Sequence, residues 1–151
     1  MKMSITTEIK HYSELTLDEF HDLIALRIAV FVIEQDCPYQ ELDGKDKDAY
    51  HLLVKKEGQI IATTRILKAG VAYPEVAIGR VVSAKNMRHL KLGHTLMTAS
   101  MDFVAKNMDN SPVRLSAQSH LTGFYAKHGF TPTGKEYLED GIPHAEMLFT
   151  P

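Results

Sequence analysis

The stretch from Val76 to Met108 constrains this chain more than any other. It opens with Val76–Ser83, a run of β-branched and small residues that reads as a strand. Ala84–Met87 is a polar turn, and Arg88-His89-Leu90-Lys91-Leu92-Gly93-His94-Thr95 leads from it directly into a helical pattern. Leu92, Leu96, Ala99, Phe103 and Val104 recur on one helix face, which predicts a helix over about Leu92–Met108. Val113–Ala117 then reads as a short strand. A strand that feeds a helix and then another strand needs a sheet with a helix lying on it. An all-helical bundle and a pure β-sandwich are both excluded.

The remaining segments fit around that unit. Ile5–His11 alternates like an edge strand. Thr16-Leu17-Asp18-Glu19 has the capping-box form, and Phe20, Leu23, Ile24, Ile28 and Phe31 follow at helical spacing. One helix is expected from Leu17 to Val32. Glu34–Asp48 is a polar loop with turn signals at Pro38 and Asp43-Gly44. Tyr50–Lys55 and Gln59–Lys68 read as a hairpin around Lys56-Glu57-Gly58. His120–His128 reads as a short helix stopped by Gly129. Phe130–Gly134 and Ala145–Phe149 are expected as two last strands, joined around Asp140-Gly141-Ile142-Pro143. Such mixing implies an α/β or α+β sheet with helices on its faces, and the 151 residues are expected to form a single domain, residues 1–151.

Composition removes several function classes. Seventeen Lys+Arg against nineteen Asp+Glu leave a net charge of -2, unlike the basic excess of a general nucleic-acid binder. Cys37 is the single cysteine, so no internal disulfide is possible. Met1–Lys10 lacks the apolar run of a secretory leader, and Leu23–Ile33 is too short to span a bilayer and carries Arg27. A cytoplasmic protein with no nucleic-acid or membrane partner is expected. The histidine pairs His89/His94 and His120/His128 lack zinc spacing, and lysines interrupt Asp43–Asp48 as a calcium loop, so no metal is expected.

The helix start after Val76–Ser83 is the best candidate for chemistry. Unpaired N–H groups and the positive dipole end favour an anion there, phosphate in particular. Gly93 permits close approach, while Arg88, Lys91, His89 and His94 add positive potential. The alternative is a solvated helix start that is merely basic. Arg88-His89-Leu90-Lys91-Leu92-Gly93 resembles the acyl-CoA signature of the GNAT superfamily of N-acetyltransferases, Arg/Gln-x-x-Gly-x-Gly/Ala. Gln118 with Phe124-Tyr125-Ala126-Lys127-His128-Gly129-Phe130 resembles that superfamily's second motif. The ElaA-like branch is resembled further, in Leu26-Arg27 with Val30-Phe31-Val32-Ile33-Glu34-Gln35, Cys37-Pro38-Tyr39, Asp43-Gly44, Leu115-Ser116-Ala117-Gln118 and Glu139-Asp140-Gly141-Ile142-Pro143-His144.

That resemblance implies a GNAT-type, mixed but mostly antiparallel sheet flanked by helices. It implies an α/β fold that carries acetyl transfer from acetyl-CoA to a primary amine, with a small molecule as the expected acceptor. Val81, Val82 and Ser83 would meet the pantetheine arm, and Arg88, His89, Leu90, Lys91, Leu92, Gly93, His94 and Thr95 the diphosphate. Gln118 and Tyr125 would complete the CoA site, with Tyr125 as general acid toward the departing thiolate. Without the resemblance, Tyr125 reads equally as a core aromatic beside Phe124. Lys91 stands where the signature has its first glycine. A positive φ there would cost about 1 kcal/mol or slightly more.

The base stays open among Glu34, His144 and Glu139, each of which reads equally as a salt-bridging residue. Glu34–Asp48 and Glu136–His144 are expected to build the acceptor pocket. Their carboxylates Glu41, Asp43, Asp46, Asp48, Glu136, Glu139 and Asp140 would favour a cationic amine. Arg27, Arg65 and Arg80 could instead pair with those carboxylates or bind a substrate carboxylate. Glu34, Tyr39, Asp43, Arg80, Glu139 and His144 are the acceptor-contact candidates. A homodimer is compatible with this reading. The alternative function is a non-catalytic acyl-CoA-binding or interaction module of the same fold.

Overall fold

The computed structural model describes residues 4–151. Seven strands form one sheet in the order β1-β2-β3-β4-β5-β7-β6. They are β1 (Ile5–His11), β2 (Ala49–Lys56), β3 (Gln59–Leu67), β4 (Val76–Ser83), β5 (Val113–Gln118), β6 (Thr131–Glu139) and β7 (Ile142–Phe149). The helices are α1 (Leu17–Arg27), α2 (Leu92–Asn107) and α3 (Thr122–Ala126). Every strand pair is antiparallel except β4 with β5. The expected element order and mixed, mostly antiparallel sheet are observed.

Period-2 alternation sorts the sheet's two faces. Leu52, Val54, Ile61 and Ala62 pack against Leu92 and Leu96 of α2. Leu53 and Ile60 meet Leu23 of α1. Met97 and Val104, on the next rows of α2, cover Ile66, Val76, Ile78, Val113 and Leu115. Thr16 caps α1 as its sequence indicates: its Oγ1 accepts from the Glu19 N–H at 3.0 Å, and Glu19 Oε1 accepts from the Thr16 N–H at 2.9 Å.

The short helix expected over His120–His128 is α-helical only over Thr122–Ala126, after a 3-10 turn at Ser119–Leu121. Three other segments differ from the sequence expectation for a local reason. The helix expected to run to Val32 is α-helical only to Arg27 and widens into a π-helix over Ile28–Glu34. Its branched residues Ile28, Val30, Val32 and Ile33 crowd a regular α-turn. The turn after β4 is a 3-10 helix, Lys85–Leu90. Strand β6 continues to Glu139 and β7 begins at Ile142, because Asp140 and Gly141 both take positive φ and close a two-residue hairpin turn.

Candidate active site

β4 and β5 pair only at Val76–Val113 and Ala77–Arg114. Beyond Ala77 the two parallel strands splay. The cause lies on the other side of β4. Thr63 faces Val82 and Arg65 faces Gly79, so Thr64 opposes one residue too many. Arg80 occupies this bulge at φ +54°. A bulge bends its strand and increases local twist, here turning β4 away from β5. The result is a cleft of about 850 Å³ whose walls are β4 on one side and β5, β7 and α3 on the other.

The β4 wall offers mainly backbone. Val81, Val82 and Ser83 line the cleft, followed by Arg88 and Gly93. Lys91 ends the 3-10 helix and starts α2 at φ +53°, the left-handed conformation its place in the signature implies. Gly93 has a separate steric reason, since a Cβ there would lie 3.1 Å from the Phe124 ring. His94 packs on Phe124 and its Nδ1 lies 2.9 Å from His128 Nε2, tying the first turn of α2 to the end of α3. Leu92 is a core side chain, leaving only its backbone for a ligand. His89, Leu90, Lys91, His94 and Thr95, which the resemblance assigned to the diphosphate, are absent from the cleft lining.

The opposite wall offers side-chain chemistry. Tyr125 packs in the core with Phe130 and Met147, and it also lines the cleft. Burial pushes its phenol up to about 12, so it is neutral and carries a proton. His144, also buried, donates from Nδ1 to the Ile142 carbonyl at 2.7 Å. In the neutral imidazole that bond places the proton on Nδ1 and leaves the lone pair on Nε2, 3.4 Å from Glu139 Oε2. Gln118, at the end of β5, also lines the cleft.

The π-helix bridges the two walls. Arg88 forms a two-pronged pair with Glu34, at 2.6 and 2.8 Å, on the β4 side. Gln118 donates to Gln35 at 3.2 Å on the β5 side. Cys37 then meets the Asp140 carbonyl at 3.6 Å. The adjacent residues Glu34 and Gln35 thus reach opposite lips of the cleft.

The geometry bears on two readings that the sequence left open. Glu34 is a poor base, because the Arg88 guanidinium holds its carboxyl below the usual carboxylate range. The polar loop is not a negative surface awaiting a cation. Glu41 accepts from Arg27 and Arg80, Asp46 from Arg27 and Arg65, and Asp43 from Arg65 with Arg80 nearby. Three arginines neutralise three carboxylates. Tyr39 closes the set, donating to Glu41 beneath the Arg80 guanidinium, and burial raises its phenol further. Asp48 and Glu136 are exposed and lie outside this cleft. Tyr137 and Tyr73 carry no sequence signal, and Ser116 stands in a resembling segment without a role of its own, yet the sheet brings all three beside His144 or its neighbours.

The profile of the acetyltransferase (GNAT) domain matches residues 10–150. The chain is 42% identical over 139 residues to protein ElaA of Escherichia coli, covering 91% of each. The crystal structure of E. coli ElaA superposes with a TM-score of 0.90 at 40% identity, covering 97% of this chain and 100% of that one. An acyl-CoA N-acyltransferase from Pseudomonas aeruginosa gives a TM-score of 0.90 at 42% identity, over 96% of this chain and 99% of its own. Similarity of this extent takes in every element that builds the cleft, and the chain belongs to the GNAT family of acyltransferases, beside the ElaA proteins.

Proposed function

We propose that the chain is a cytoplasmic enzyme that moves an acetyl group from acetyl-CoA to the primary amine of a small molecule. One observation carries the reading. A buried, protonated phenol and a histidine with a free Nε2 share one wall of a cleft whose other wall is an unpaired strand edge. The residues present suit the donor. Beyond Ala77, backbone groups of β4 on the β5 side have no strand partner and match the amides of a pantetheine arm. The turn into α2 presents N–H groups and a cationic flank to a diphosphate.

When bound, acetyl-CoA supplies a thioester whose sulfur can leave as a thiolate. Tyr125 holds the proton that sulfur needs. His144 takes a proton from the acceptor's ammonium at Nε2, exposing the nitrogen lone pair. A backbone N–H near Val82 would stabilise negative charge on the thioester's carbonyl oxygen. With the polar loop neutralised by arginines, the acceptor reaches His144 from the hairpin between β6 and β7. Glu139 and Asp140 supply the negative charge there.

Thiol release from acetyl-CoA, measured across a panel of primary amines, secondary amines and alcohols, tests the assignment. Turnover confined to primary amines supports it. Release no faster than hydrolysis with every amine, or equal rates with alcohols, refutes it.

A further inference from the structure

Four side chains from three strands close a ring on the acceptor side of the cleft. Tyr137 on β6 donates its hydroxyl to Ser116 Oγ on β5 at 2.7 Å. Ser116 donates in turn to Glu139 Oε1 at 3.2 Å. The other oxygen, Oε2, faces His144 Nε2 on β7. The His144 ring then stacks on Tyr137, with centroids 6.4 Å apart and planes within 11°. Sheet register produces this closure, since Tyr137 pairs with His144, Gln118 with His144, and Ser116 with Glu146.

The ring has a feature that packing alone does not explain. With Nδ1 donating to Ile142, a neutral His144 turns a lone pair toward a carboxylate. Only a proton on Nε2 makes that contact attractive. We propose that Glu139 is the counter-ion that receives His144 in its protonated state during turnover, and that Ser116 and Tyr137 are positioning residues that fix its carboxylate. This rests on His144 acting as base.

The proton balance closes. The acceptor ammonium gives one proton to His144 Nε2, and the neutral nitrogen forms the C–N bond as the C–S bond breaks. Tyr125 protonates the sulfur and is restored by the second proton leaving nitrogen. The proton on His144 passes to water beside Glu139, whose side chain is 49% exposed. One proton is released per acetyl group transferred.

Among the charged groups around His144, Glu139 is the one whose carboxylate reaches Nε2; Glu136 on β6 shares a surface hollow with His144, and the Lys135 ammonium lies over the Tyr137 ring at 5.9 Å. Gln118 and Tyr137 are uncharged neighbours, with Tyr73 beside Tyr137. His120 and Asp140 are exposed members of the cleft lining. Glu146, two residues along β7, is held by Arg114 at 3.0 Å.

The test is the pH dependence of kcat/KM for the acceptor, with acetyl-CoA affinity titrated separately. Glu139→Gln should lower kcat/KM about tenfold or more and move the acidic limb to lower pH. Ser116→Ala and Tyr137→Phe, which leave both the carboxylate and the aromatic stack in place, should move the limb the same way by less. Acetyl-CoA affinity should hold in all three. His144→Gln should remove the limb altogether. An unmoved limb in Glu139→Gln, with His144→Gln still abolishing it, overturns the counter-ion while sparing the base. A full-rate His144→Gln with its limb intact overturns both. A limb that moves in Glu139→Gln but not in Ser116→Ala or Tyr137→Phe overturns the positioning role.

Discussion

The two walls of the cleft are built on different principles. The β4 wall works through main chain: an interrupted ladder, two side-chain-bearing residues at positive φ, and a helix start. The β5–β7 wall works through side chains held by one another, with Tyr125, His144, Glu139, Ser116 and Tyr137 drawn from four elements. Backbone recognition is tolerant of side-chain identity but intolerant of geometry. Side-chain recognition is the reverse. Substitutions that keep shape should therefore hurt the second wall most, and substitutions that change shape the first.

The sharpest division comes from Tyr125→Phe. The ring and its packing against Phe130 remain, and only the hydroxyl is lost. A positioned acid contributes about 10²–10⁴-fold, so kcat should fall by that factor with acetyl-CoA affinity unchanged. Single-turnover kinetics measures this. Wild-type chemistry in the Phe variant would mean that the second wall holds no acid. Loss of affinity at constant kcat would make Tyr125 a binding residue.

Next in size is the buttress behind the β4 wall. Arg27 is 1% exposed and bridges Glu41 and Asp46, while Arg80, at the bulge, shares Glu41. Arg27→Met strips a buried cation from two carboxylates. Breaking such a pair costs about 3–5 kcal/mol, and the lower figure applies because Arg65 and Arg80 still serve the carboxylates. Urea unfolding should show that loss. A change below about 1 kcal/mol would mean that the loop, and the bulge with it, stands without the network.

What was legible in the sequence follows the same division. The strand, turn and helix from Val76 to Asn107 are written in periodicity and in a local signature, and the boundaries of β4 coincide with those expected. The capping box at Thr16 was equally local. The bulge at Arg80 was not legible, because it arises from a register mismatch between β3 and β4 that neither strand carries alone. The pairing of three arginines with the polar loop stood only as one of two readings, because partners 14 to 39 residues apart leave no local signal for which arginine meets which carboxylate. Ser116 and Tyr137 meet because β7 inserts between β5 and β6, a topological fact with no trace in their neighbours.

Gly93→Val should be the clearest shape-only lesion. Its Cβ would press on the Phe124 ring, and the branched side chain would project from the first turn of α2. Overpacking of this kind costs about 1–3 kcal/mol. If Phe124 gives way, that strain appears as lost stability. If the turn gives way, it appears as lost acetyl-CoA affinity. The β4 wall's dependence on geometry predicts mostly the second, a drop of about tenfold or more by titration with a smaller change in Tm. An unchanged affinity would remove Gly93 from the binding surface.

The smallest effect is expected at Lys91, where two opposed terms nearly cancel. A left-handed conformation costs a residue with a Cβ about 1–2 kcal/mol, and Lys91 holds φ +53°. Lys91→Gly removes that strain. It also frees the unfolded chain, which returns about 0.4–1 kcal/mol to the unfolded side. The net gain should be about 0.5 kcal/mol, visible as a slightly higher Tm. Against this stands the lost ammonium. Lys91 is exposed, and an exposed charge pair is worth about 0–1 kcal/mol, so acetyl-CoA affinity should fall by about fivefold at most. That loss should shrink as salt is added, since the pair is screened. A fall of a hundredfold that persists at high salt would make the lysine a direct diphosphate ligand. The β4 wall would then depend on a side chain as the opposite wall does, and the contrast between them would fail at this residue.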